Sequence, residues 1–168
     1  MNASASAPSA LGIDYKARKL NLAIVRGSRV VYQDEAQLGR DTAVQIGVIT
    51  DALERAQVHA DHPATVVIEA MFTRVGAGFA TAELIHKTAI RVETIALMLQ
   101  MRVHWVPVNT WRKVVLGNGG LRSAEGKERA LWYVERVMGV KAASDDAADA
   151  ICLAQYGVLT ARVREAAL

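Results

Sequence analysis

The stretch Ala10-Leu11-Gly12-Ile13-Asp14 decides how the chain is read. It is a short apolar run ending in an acid, which marks a buried strand whose last residue reaches the edge of a sheet. Leu20 to Val25, with Leu20, Leu22, Ala23, Ile24 and Val25, predicts a second strand, and Tyr15 to Lys19 a basic turn between the two. Gly27-Ser28 marks another turn and Arg29 to Gln33 a third strand. Three strands joined by tight turns predict an antiparallel meander.

Downstream the period changes. Asp41-Thr42 opens a helix in which Val44, Val48, Ala52 and Ile46, Ile49, Leu53 recur at helical spacing up to about His59. After Pro63, Thr65 to Ile68 is β-branched and apolar, a central strand that ends at Glu69. Met71 to Phe79 contains Gly76 and Gly78 and reads as a loop. Thr81 to Met101 predicts a long helix with one apolar seam at Ile85, Ala89, Val92, Ala96 and Leu99 and another at Ile90, Leu97 and Met101. A helix apolar on two sides can pack on the sheet and on a partner. Arg102 to Val106 is a further strand closed by Pro107, and Asn109 to Val115 a short helix before the loop Gly117-Asn118-Gly119-Gly120. Ser123 to Val137, with Ser123 as its cap, and Asp145 to about Ala161 are the last helices. The expectation is one domain over residues 10–168, with 1–9 a flexible tail that does not read as a signal peptide.

Composition bounds the function. The 168 residues are 52% hydrophobic and 22% charged, as in a globular domain, and no apolar stretch is long enough to span a bilayer. The single cysteine, Cys152, excludes an internal disulfide and a thiolate zinc cluster, suits a reducing cytoplasm, and reads as a buried inert thiol among apolar neighbours. His59, His62, His86 and His104 are scattered, with no nucleophile motif beside them. Net charge is +3 with a pI near 9.2. Setting aside Asp14, Glu69, Asp146 and Asp149 leaves 20 basic against 13 acidic side chains, a net +7. A basic shell around an acidic pocket suits a metal-dependent nuclease.

The chemistry rests on those acids. Asp14 and Glu69 end neighbouring core strands, where a lone carboxylate is costly to bury. The final helix opens Asp145-Asp146-Ala147-Ala148-Asp149, with Asp146 and Asp149 on one face and Asp145 and Asp149 also able to converge. Acids at a helix start also favour its dipole, which accounts for Asp145 and Asp146 but less well for Asp149, one turn further in. Carboxylates focused on one spot repel unless a divalent cation joins them. Magnesium prefers such hard oxygen ligands, and paired ions serve phosphodiester hydrolysis.

Gly12-Ile13-Asp14, Ile68-Glu69 with Phe72 three residues on, and Asp146-Ala147-Ala148-Asp149-Ala150 together resemble the RuvC family of Holliday-junction resolvases. Val114-Val115-Leu116-Gly117 and Ser123-Ala124-Glu125-Gly126-Lys127 resemble its stretch before the last acidic motif, and the likeness runs from about Gly12 to Tyr156. The resemblance implies an α/β ribonuclease H-like fold: a mixed five-stranded sheet, three antiparallel strands then two parallel, flanked by helices. It implies a homodimer acting on branched DNA, four-way junctions above all, with no membrane association. Hydrolysis would use two Mg2+ per site, Mn2+ substituting, and leave a 5′-phosphate and a 3′-hydroxyl.

By the same resemblance Asp14, Glu69, Asp146 and Asp149 are the catalytic, metal-holding acids, the choice of Asp146 over Asp145 resting on the match. Lys127 joins them as a catalytic residue and phosphate contact. Phe72 either wedges against an unstacked base or packs its own loop. Arg74, Arg112, Lys113 and Arg122 are further expected DNA contacts, beside Lys16, Arg18 and Lys19. Two departures stand out: Tyr15-Lys16 follows Asp14 where the family often has Pro-Gly, and Arg112 falls where it often has lysine. Competing readings are a flap, fork or RNA–DNA hybrid nuclease of the same fold, a catalytically inert junction-binding module, and an actin-like ATP-binding protein. The last needs a Gly/Ser/Thr-rich turn after the first aspartate, which Tyr15-Lys16-Ala17-Arg18 does not provide.

Overall fold

The computed structural model describes residues 7–60, 65–70 and 79–165. Strands β1 (Ser9–Tyr15), β2 (Lys19–Arg26) and β3 (Arg29–Gln37) form the expected antiparallel meander, the third four residues longer than the sequence suggests. Helix α1 (Thr42–His59) follows, and the Asp41 carboxylate caps it by accepting from the amides of Ala43 and Val44. Then come β4 (Thr65–Glu69), α2 (Phe79–Met98), β5 (Arg102–Val106), α3 (Val108–Leu116), α4 (Ser123–Arg136) and α5 (Asp145–Glu165). The sheet order is β3-β2-β1-β4-β5, with β4 parallel to both β1 and β5. This is the mixed five-stranded sheet that the sequence predicts.

Alternation along the strands sorts the core into two layers. Leu11, Ile13 and Tyr15 of β1 and Val66 and Ile68 of β4 face α1 and α2. Ala10 and Val67 face the layer formed by α3, α4 and α5. By the same parity Asp14 and Glu69 point to the α5 side. Ile13 pairs with Ile68, so the two acids stand next to each other one residue further on.

Several expectations are corrected. Helix α2 begins earlier and ends at Met98, because Gln100 takes a left-handed conformation (φ 59°) that turns the chain into β5. Met101 is therefore a buried core residue, whereas Ile90, Leu97 and Met98 remain exposed. Ser123 is the first residue of α4, not its cap; the Glu125 carboxylate instead accepts from the Arg122 backbone amide at 3.0 Å. Ser144 serves α5, its hydroxyl accepting from the Ala147 amide at 3.1 Å. Among the described residues, no helix is long and apolar enough to cross a membrane.

Helix α5 crosses β1 in close backbone contact. A Cβ at Gly12 would overlap the carbonyl oxygen of Ala150 and the amide nitrogen of Ala154, and one at Gly157 would press on Ala10 and Val67. Backbone-to-backbone contact of this kind needs glycine on the strand and small residues on the helix. Gly12→Ala is expected to lose about 1–3 kcal/mol in urea unfolding through overpacking. Gly47→Ala, where added bulk meets nothing within 4 Å of exposed α1, should instead be neutral or stabilising. Equal stability of Gly12→Ala and wild type would contradict the close seating of α5.

Candidate active site

Helix α5 starts at the C-terminal edge of β1 and β4, so its first turns deliver Asp146 and Asp149 to Asp14 and Glu69. Asp14, Asp146 and Asp149 are all buried. Asp145 turns outward: its side chain is 40% exposed, against 12% for Asp146. The geometry thus separates the two acids that the sequence leaves adjacent.

The turn between β1 and β2 brings positive charge. Lys16 Nζ lies 3.3 Å from Asp14 Oδ2 and 3.3 Å from Asp146 Oδ1, bridging the two acids. Lys19 Nζ is 3.1 Å from Asp146 Oδ2. From α4, Lys127 donates to Asp145 Oδ2 at 2.5 Å and Asp146 Oδ1 at 3.1 Å. Asp146 therefore sits inside a cage of three ammonium groups. Arg112, expected as a DNA contact, is buried instead: its guanidinium passes over the bare α-carbon of Gly126 and donates to the Leu121 carbonyl at 3.3 Å. Lys113, Arg122 and Arg18 are exposed. Phe72 and Arg74 lie outside the described residues.

The acids divide by environment. Burial pushes Asp14 up to about 7, with the charges of Asp146 and Glu69 adding to the rise and Lys16 opposing it. Burial likewise pushes Asp149 up to about 8, reinforced by Asp14 and Glu69 and opposed by Arg112 and Lys16. Burial acts on Asp146 too, but hydrogen bonds from Lys127 and Lys19 and the charge of Lys16 hold it down at about 2. Cys152 is buried, as expected, and burial raises its thiol well above its usual range.

These features bear on whether a metal fits. Asp149 Oδ1 is a buried oxygen with no hydrogen-bond donor, and Asp14 Oδ2, also buried, has only the Lys16 ammonium 3.3 Å away. Such groups are costly to leave unsatisfied, and a hard divalent cation would satisfy them. Asn21, which pairs with Asp14 across β1 and β2, is 1% exposed and its amide nitrogen and oxygen also lack partners. The donor chemistry fits magnesium or manganese. In the arrangement seen here, however, no three carboxylate, imidazole or thiol groups among the described residues stand together closely enough to hold an ion. Lysine ammonium groups supply the neutralising charge.

Sequence reasoning missed two further participants. Trp111 of α3 is fully buried, and its indole Nε1 donates to Glu69 Oε2 at 2.8 Å. Asn21 is the other. Neither has a sequence signal, since each acquires its neighbour only through the tertiary fold. His59 stacks on Tyr32 and His104 on Tyr156, and neither reaches the acids. A cavity of about 370 Å3, lined in part by Tyr15, Ala70, Glu93 and Trp105, opens on the opposite face of the sheet and holds none of the four acids.

The raised acids set a pH dependence. Each binds a proton more tightly in the folded chain than in the unfolded one. Without metal, their contribution to stability is therefore intact below about pH 4 and declines as pH rises towards 7–8. Asp149→Asn is expected to raise the melting temperature at pH 8 in chelator and to leave it nearly unchanged at pH 4. A lower melting temperature at pH 8 would contradict the penalty that burial and the neighbouring acids place on a charged Asp149.

Solved structures share this fold. RuvC from Thermus thermophilus aligns with a TM-score of 0.74 at 18% identity, covering 93% of this chain and 96% of that one. The same bacterium's RuvC in complex with a Holliday junction substrate aligns at 0.74 and 20% identity, over 94% and 96%. The yeast mitochondrial Holliday junction resolvase Ydc2 aligns at 0.51 and 12% identity, over 96% and 83%. No family model and no curated protein sequence matches the chain. The likeness at these identities is one of architecture: the chain has the ribonuclease H-like fold of RuvC.

Proposed function

We propose that the chain is a structure-selective DNA endonuclease that resolves Holliday junctions by paired symmetric nicks. The observation that carries this reading is the gathering of four carboxylates at one edge of the sheet, met by lysines. The same architecture occurs in a RuvC captured on a Holliday junction substrate.

Asp14, Glu69, Asp146 and Asp149 would hold two Mg2+ ions, with Mn2+ able to substitute. Bound metal supplies Lewis-acid activation of the scissile phosphate and neutralises charge on the attacking and leaving oxygens. The chain's own residues do the rest. Lys16, Lys19 and Lys127 neutralise the carboxylates in the free protein and turn to the phosphate backbone when DNA arrives. Lys127 is the lysine closest to a catalytic role, because it touches Asp146 from a different element than the turn lysines. Lys113 and Arg122, both exposed, extend the backbone contacts, and Phe72 and Arg74 remain expected DNA contacts in this reading. The expected products carry a 5′-phosphate and a 3′-hydroxyl.

Two-fold cleavage needs a two-fold protein. A homodimer presents two equivalent sites to a junction with approximate two-fold symmetry. The exposed apolar residues Ile90, Leu97 and Met98 of α2 support that face as the interface. A cytoplasmic setting agrees with the single buried thiol.

The lysine-filled arrangement favours a second reading, a junction-binding module without catalysis. Broader flap, fork or hybrid cleavage by the same site is a third possibility of the same class. The test is cleavage of a labelled synthetic four-way junction with Mg2+, beside linear duplex, flap and RNA–DNA hybrid. Wild type is expected to make paired nicks and prefer the junction. Asp14→Asn and Asp146→Asn should lose cleavage while still shifting the junction in a gel. Junction binding with no cleavage by wild type in Mg2+ or Mn2+ would establish the binding module instead.

A further inference from the structure

Glu69 differs from the other three acids in how it is held. Among the described residues, Asp14 and Asp146 are met by lysines and Asp149 by no hydrogen-bond donor, whereas Glu69 accepts from the uncharged indole of Trp111 at 2.8 Å. Trp111 is 0% exposed, locked in the layer beside α5, with the Arg112 guanidinium 5.3 Å from its ring centre. The backbone of Glu69 is fixed as well. Its carbonyl accepts from the Tyr15 hydroxyl at 3.3 Å, and the next amide, Ala70, donates to Val106 at 2.8 Å.

We infer that Trp111 is the positioning residue that orients Glu69 for metal binding. The inference rests on the reading above, in which Glu69 holds a divalent cation. An indole N–H can only donate, so it engages Glu69 as an acceptor and occupies Oε2. Oε1 is left available to a cation. The rotamer of a glutamate, otherwise free at three torsions, is thereby fixed before any cation arrives. A donor placed behind a ligating carboxylate in this way is the usual device for orienting a metal ligand. Lysine cannot replace it here without adding charge that competes with the metal. The chain carries its own control: Trp105 donates to Glu93 at 2.7 Å on the opposite face of the sheet, away from the four acids.

The test uses the full chain without DNA. Mg2+ and Mn2+ affinities are measured by calorimetry for wild type, Trp111→Phe and Trp105→Phe. In parallel, the three indole N–H resonances of wild type are followed by NMR as Mg2+ is added. Trp111→Phe is expected to weaken metal binding by about tenfold or more. Trp105→Phe should match wild type, and the Trp111 indole resonance should move on metal addition. In junction cleavage, Trp111→Phe should lower kcat and leave KM for DNA unchanged. Wild-type metal affinity in Trp111→Phe would overturn the inference while leaving the nuclease reading intact. Should that variant fail to fold, an indole resonance of Trp111 that ignores Mg2+ would overturn it equally. Absence of metal binding by wild type would overturn both this inference and the metal step of the proposed function.

Discussion

Everything at the acidic edge depends on one contact: the backbone of α5 lying directly on β1 at Gly12. With no side chain between them, strand and helix approach to the distance their main chains allow. Ala150 and Ala154 complete the seat on the helix side, and further along Gly157 makes room for the side chains of Ala10 and Val67. The consequence is positional. The first turn of α5 lands at the strand ends, and the i, i+3 spacing of Asp146 and Asp149 points both into the site. A larger residue at Gly12 would lift the helix and separate its acids from Asp14 and Glu69.

That placement has an electrostatic cost, and the chain meets it unevenly. Asp146 is stabilised as an anion by Lys16, Lys19 and Lys127, so it stays charged. Asp14 and Asp149, deeper and nearer to one another's charge, are pushed towards protonation. The set is thus divided: one acid is met by ammonium groups, and two are raised towards protonation. Perturbed carboxylates clustered at the ends of buried strands have no evident structural use, since a well-packed apolar edge would be more stable. Stability given up there is most economically explained by function.

Much of this was legible in the sequence, for identifiable reasons. The strands and the acids at their ends could be read because buried strands leave unbroken apolar runs, and Asp14 and Glu69 terminate them. The first three strands, the central strand and the capped start of α1 follow from local signals alone. The C-terminal end of α2 did not, since Leu97, Met98 and Met101 continue the apolar pattern through the turn that Gln100 makes. Arg112 looked like a surface cation because nothing local indicates that Gly126 opens a slot for its guanidinium. Trp111 was invisible as a partner of Glu69 for the same reason: the two are 42 residues apart and meet only once α3 docks beside the sheet. The choice between Asp145 and Asp146 needed the orientation of the helix, which turns Asp146 inward and leaves Asp145 to pair with Lys127 at the surface.

The central claim is that this edge is a divalent-metal site temporarily neutralised by lysines. Its most direct measurement is anomalous X-ray diffraction from crystals of the protein soaked in Mn2+ with a DNA junction bound. The account predicts anomalous peaks among Asp14, Glu69, Asp146 and Asp149, with Lys16 withdrawn from between Asp14 and Asp146. Crystals with no peak there, and Lys16 still bridging the two acids, would contradict it.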